Sequence, residues 1–218
     1  MKCGVCRKAG RAPIGGCCLF FHVITAGVHP TSRSHPAAAA YDFSDRPFLV
    51  FLLVPTGRAG LADMPDPADV ERVFEEMADL VGKAPFAIKT TEGHHFRRVM
   101  IQRKGSAAKS RPGMRSPLGI RDGRGVMFIS HTGAVSPSGF LPMDCGNVKT
   151  TDPAEIYRKH PLFVSLRDND ALGGKCGICE FRPVCGGSRA RAFGVHGDPF
   201  AADPACIYQP KNFIPEIT

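Results

Sequence analysis

The chain lacks any apolar run long enough to cross a bilayer. Its longest candidate, Ile14 to about Val28, is interrupted by Cys17-Cys18 and His22, and a spanning helix needs roughly 20 residues. Tryptophan is absent and only three tyrosines occur. Acidic residues are also the minority, with 20 Asp and Glu against 28 Lys and Arg and a net charge of +8. Much of that excess lies in the stretch from Arg103 to Arg124, where Lys104, Lys109, Arg111, Arg115 and Arg121 sit among Gly, Ser and Pro with no aromatic side chain between them. Nucleic-acid surfaces interleave cations with stacking rings, so this stretch reads as a solvated linker and nucleic acid is not an expected partner. Sustained periodicity is missing from residues 1–45, and Pro30 to Ala40 is low in complexity. No element is expected there.

What is present is concentrated near the carboxyl end. Cys176, Cys179, Cys185 and Cys206 follow the spacing C-x2-C-x5-C-x20-C. A C-x2-C pair closes a tight turn around one metal corner, in zinc and in iron-sulfur sites alike. Cys185 supplies a third corner, and Cys206 returns behind Asp203-Pro204 to supply the fourth. Gly177, Gly186 and Gly187 lie between them, where a missing side chain lets backbone amides approach metal and sulfur. A four-cysteine set by itself fits zinc as well as iron and sulfide. Lys2, Arg7, Lys8 and Arg11 ahead of the Ile14 run, with Ala37 to Ala40 after it, superficially match a secretory signal. Export would put metal-binding thiolates in an oxidising compartment where disulfides compete, so the cytoplasm is the expected location, without membrane association.

Upstream, Phe48 to Val54 is an unbroken apolar run ending in Pro55-Thr56-Gly57-Arg58, as in a parallel strand covered on both faces. A helix follows, with Asp66 as N-cap, Pro67 as its first residue and Gly82 as its stop. Val70, Val73, Phe74, Met77, Leu80 and Val81 fall on one face. Phe86 to Glu92 reads as a second strand, which completes an α/β unit. Further on, Gly125 to Ser130, the turn His131-Thr132-Gly133 and Ala134 to Gly139 read as a hairpin, and Asp152-Pro153 caps a short helix through Ile156 and Tyr157 with Phe163 and Leu166 continuing its apolar face.

The stretch Lys175 to Ala192, then Gly197-Asp198 and Asp203 to Tyr208, closely resembles the carboxyl-terminal SPASM region of radical SAM enzymes, in the branch of the haem-biosynthesis maturases. The resemblance implies an α/β fold: the end of a radical SAM partial barrel over residues 46–102, a basic linker over 103–124, and a SPASM domain with a β-hairpin and short helices over 125–218. It implies an auxiliary 4Fe-4S cluster on Cys176, Cys179, Cys185 and Cys206, used for electron transfer or substrate binding. The commoner SPASM pattern has a cysteine where this chain has Arg189, so a single auxiliary cluster is expected. Lys175, Arg182, Arg189 and Arg191 would then raise its reduction potential, although Arg189 and Arg191 equally suit a helix surface. Cys145 is expected to stay unligated. Lys89-Thr90-Thr91-Glu92 followed by Phe96-Arg97-Arg98-Val99 also matches the family, whereas Gly93-His94 replaces its usual alanine and proline.

The family's C-x3-C-x2-C motif, which holds the cluster that binds S-adenosyl-L-methionine (SAM), occurs nowhere in the 218 residues, and Cys3, Cys6, Cys17 and Cys18 cannot be aligned to it. The expectation is therefore a truncated form that binds one cluster and does not cleave SAM alone. A second 4Fe-4S cluster, SAM, an electron donor and a small-molecule or peptide substrate belong to the full-length family member. From a different class, the residues also fit a zinc-stabilised module binding nucleic acid or protein.

Overall fold

The structure is a computed structural model that describes residues 21–24, 48–104 and 120–211. The alanine-rich segment 37–40, the four amino-terminal cysteines and most of the basic linker lie outside the described residues. Four residues of the amino-terminal stretch do form an element. Strand β1, Phe21–Ile24, pairs in parallel with β2, Phe48–Leu52, and β2 pairs in parallel with β3, Ile88–Thr91. The expectation of no element before residue 46 is thus corrected at β1. A four-residue strand is too short to show a period of its own, and its pairing partner lies 28 positions along the chain (Phe21 opposite Leu49).

Between β2 and β3 the chain folds as helix α1, Pro67–Leu80. Asp66 takes an extended backbone and its carboxylate accepts from the Ala68 N–H at 2.7 Å, while Pro67 gives up no hydrogen bond at the first helical position. After β3 comes α2, Phe96–Lys104. Both helices pack on the face of the sheet that carries Val50 and Leu52, where Val70, Phe74, Met77, Ala78, Phe96 and Val99 complete an apolar core. Phe74 is fully buried there, edge-on to Phe96 at 5.4 Å. Leu80 departs from the expected face and is half exposed, since it occupies the last turn, where Ala78 turns inward instead.

The carboxyl half is built of small pieces. The expected hairpin is present but each strand has two residues, β4, Phe128–Ile129, and β5, Val135–Ser136. On its other side Val135 exchanges hydrogen bonds with the 145–146 backbone: its N–H donates to the Gly146 carbonyl, and it accepts from the Cys145 N–H, both at 2.8 Å. Helix α3, Pro153–Lys159, is capped by Asp152, which accepts from the Ala154 and Glu155 N–H groups. The chain then restarts as α4, Pro161–Arg167, so the expected single face is split between two helices at Pro161. Phe163 and Leu166 are buried, in two adjoining apolar clusters. A four-residue turn of helix, α5, Gly174–Gly177, and helix α6, Arg189–His196, complete the order. No helix among the described residues is long and apolar enough to cross a membrane.

Candidate metal centre

The four cysteines converge. Cys176, at the end of α5, Cys179 in the turn after it, Cys185 ahead of α6 and Cys206 in the returning loop all line one cavity, of about 370 Å3 including its open mouth. Arg98, Lys175, Phe181, Arg182, Tyr208 and Pro210 line it with them. Cys145 lies elsewhere, buried beside Val135, Ile156 and Phe163, with its thiol 3.6 Å from the Met143 carbonyl.

Each of the four sulfurs faces a backbone amide. The Asp203 N–H donates to Cys176 Sγ at 3.4 Å, and the backbone amides of Phe181, Gly187 and Tyr208 hydrogen-bond to the thiols of Cys179, Cys185 and Cys206. The last three donors each follow their cysteine by two residues, a turn geometry that aims N–H groups at sulfur. The Arg189 guanidinium adds a longer contact to Cys176, 3.9 Å from Nη2. Burial opposes these donors and pushes the Cys179, Cys185 and Cys206 thiols upward, Cys206 to about 11. Such thiols stay neutral at pH 7 until a cation takes the place of their protons. Four sulfurs around one cavity, each with an amide donor, fit either a tetrahedral zinc or an iron-sulfur cluster.

Two of the glycines between the cysteines are also demanded by protein neighbours. A Cβ on Gly177 would stand 2.1 Å from the Leu172 carbonyl oxygen, and Gly186, at φ +66°, leaves its side-chain space to the Arg121 guanidinium. Arg121 is accordingly no solvated linker charge. It is buried, with Nη2 on Asn169 Oδ1 at 2.8 Å and Nη1 on the Arg182 carbonyl at 3.3 Å.

Behind the cavity lies a buried polar network that sequence reasoning did not find. Arg189 and Arg191, read as equally suited to a helix surface, are among the largest fully enclosed side chains. Arg189 spans the Pro199 and Ala201 carbonyls. Arg191 donates to the Leu53 carbonyl at 2.9 Å, the Leu52 carbonyl at 3.3 Å, the Glu92 carbonyl at 2.6 Å and both oxygens of Asp203 at 3.0 and 2.9 Å. One guanidinium thereby ties the ends of β2 and β3 to the loop that carries Cys206. Burial disfavours the charge on Asp203, yet Arg191 beside it holds that carboxyl well below the usual carboxylate range. Its second oxygen accepts from the Ser188 N–H at 2.8 Å.

Glu92 closes the network, with a left-handed backbone at φ 57° and its side chain accepting from Ser188 Oγ at 2.5 Å. Burial and the nearby Asp122 charge push its carboxyl up to about 8. His94 and His95 are driven the other way by burial, His95 to about 4, and both stay neutral at pH 7. Asp122 accepts from the Arg189 and Ala190 N–H groups at 3.1 Å and so closes the amino end of α6. Nothing in the periodicity marks these residues. The available signal was the density of polar residues around Thr90 to Arg98 in an otherwise apolar segment.

No family model matches the chain. It is 43% identical over 173 residues to an AdoMet-dependent heme synthase of Nitratidesulfovibrio vulgaris, a match covering 76% of this chain and 47% of that protein. It is 39% identical over 92 residues to a pre-heme d1 synthase of Dinoroseobacter shibae, covering 40% and 23%, and 32% identical over 96 residues to a PqqA peptide cyclase of Rhodopseudomonas palustris, covering 41% and 26%. Relatives of the radical SAM/SPASM family, matching its haem-maturase-like branch, cover about 75% of the chain. The chain spans about half the length of the AdoMet-dependent heme synthases it matches.

Proposed function

We propose that the chain is the auxiliary-cluster region of a radical SAM enzyme, with Cys176, Cys179, Cys185 and Cys206 holding one 4Fe-4S cluster. The observation that carries this reading is the set of four thiols around one cavity, each facing its own backbone amide. Hydrogen bonds to sulfur and nearby cations raise the potential of such centres, and Arg98, Lys175 and Arg182 line the cavity. A cluster there supplies one-electron chemistry or an iron site for a substrate.

In this reading residues 46–102 are the end of the SAM-binding barrel and 125–218 the SPASM domain, joined by 103–124, whose last residues from Arg121 pack into the carboxyl half instead of forming a solvated linker. The partners of the whole enzyme are SAM, an electron donor and a small-molecule or peptide substrate, in the cytoplasm. The chain by itself does not cleave SAM, because no C-x3-C-x2-C stretch occurs in it. Anaerobic reconstitution followed by metal and sulfide analysis is the test. About four iron and four sulfide per chain are expected, and replacing any one of the four cysteines by serine lowers both. One zinc without sulfide would establish the zinc-stabilised module in its place. Release of 5'-deoxyadenosine from SAM by this chain alone would overturn the statement about the missing motif.

A further inference from the structure

Glu92, His94 and Asp122 each bring a donor atom to one point, all within 4.8 Å of one another. The three residues are buried, at 6%, 9% and 2% exposure. His94 Nε2 and Asp122 Oδ1 have no hydrogen-bond partner, and a buried polar atom left unpaired costs roughly 1–3 kcal/mol. Glu92 Oε2 is anchored by the Ser188 hydroxyl and Asp122 Oδ2 by the start of α6. His94 Nε2 stands 3.8 Å from Glu92 Oε2, too far for a hydrogen bond. Among the described residues no lysine or arginine forms an ion pair with either carboxylate. Arg191, the guanidinium beside them, is directed to Asp203 and to three carbonyls.

We propose that Glu92, His94 and Asp122 form a buried divalent-cation site at the seam between the parallel sheet and the cysteine-bearing half. Two carboxylate oxygens and one imidazole nitrogen suit a first-row cation such as Mn2+, Fe2+ or Zn2+. Ligand distances of about 2.0–2.2 Å bring such donors to roughly 3 Å from one another, so all three side chains draw inward from their present spacing when the ion binds. The cation satisfies both unpaired atoms, takes the place of the proton that burial keeps on Glu92, and offsets the two carboxylates that result. It also pins the end of β3 to Asp122, and through Asp122 to the amino end of α6. Its role is structural, and it holds whatever metal the four cysteines carry.

Mn2+ is the probe of choice, because thiolates select softer metals. Titration of the full chain with Mn2+, followed by the electron paramagnetic resonance signal of the free ion, is expected to show one site per chain and a Tm that rises with Mn2+. The bound ion is expected to show the magnetic coupling of one imidazole nitrogen. Glu92→Gln and His94→Gln, both near-isosteric, are expected to weaken binding at least tenfold, and Cys176→Ser to leave it unchanged. The idea is overturned if the wild-type chain takes up no Mn2+, if bound Mn2+ shows no nitrogen coupling, or if both Gln variants bind as the wild type does. Loss of Mn2+ binding in the serine variant would assign the ion to the cysteines instead. The wild-type measurements decide the matter even where a variant fails to fold.

Discussion

Arg191 shows how much one buried side chain can carry. It satisfies three carbonyls that the strand ends leave open and neutralises Asp203, whose own backbone N–H donates to Cys176. Removing one partner of a buried ion pair leaves the other charge uncompensated, at a cost of about 3–5 kcal/mol. Arg191→Leu is therefore expected to lower the unfolding free energy of the metal-free chain, measured by urea titration, by that amount and to reduce iron uptake, since the Asp203 loop presents a donor to one proposed ligand and precedes another. Arg191→Lys should recover only part of the loss. A single ammonium cannot reach carbonyls on two strands and both carboxylate oxygens at once. That arginine is present in the sequence, but its burial depends on partners 138 and 139 positions away, and no local pattern announces them.

Elements divide by how local their causes are. Helix α1 was legible from Asp66, Pro67 and the spacing of Val70, Phe74 and Met77, because capping and amphipathicity act within a few residues. Phe74→Ala is expected to cost roughly 3–5 kcal/mol in unfolding free energy, as for a large aromatic removed from a closed core. Asp152→Ala, which removes two N–H contacts at the start of α3, should cost about 1 kcal/mol and leave metal content unchanged. The hairpin was legible in kind and not in extent. Gly133, at φ +89°, marks the turn, but the 145–146 backbone competes for Val135, and that competitor lies outside the turn signal. Strand β1 was missed for the complementary reason: four residues gain their conformation from β2 rather than from any period of their own.

At the level of the whole molecule, buried titratable groups set the pH range of stability. His94 and His95 lie below the ordinary histidine value in the folded chain, His95 at about 4. Their contribution is complete above pH 6.5 and is lost as pH falls toward the folded value. Glu92 is shifted upward to about 8 from an ordinary 4.5, so its contribution is complete below pH 4.5 and is lost as pH rises through 8. Each group changes stability by at most about 1.4 kcal/mol per pH unit. Two histidines outweigh one carboxyl between pH 4.5 and 6.5, and only the carboxyl acts between 6.5 and 8. The chelator-treated chain should therefore be most stable near pH 6.5, and Glu92→Gln should flatten the alkaline side. A urea series across pH 4.5–8.5 checks both slopes.

The four-cysteine spacing, the family resemblance, the α/β class and the capped helices were determined by the sequence alone, because each depends on residues close together in the chain. Only tertiary structure decided that Arg121, Arg189 and Arg191 are interior and that Glu92, His94 and Asp122 meet. The same holds for the amide that faces Cys176, which comes from Asp203, 27 positions away. The physical reason is common to all three. A charge or an unpaired polar atom enters the interior only when distant backbone and side chains have already arranged its partners, and that arrangement exists only once the sheet, the helices and the returning loop have packed.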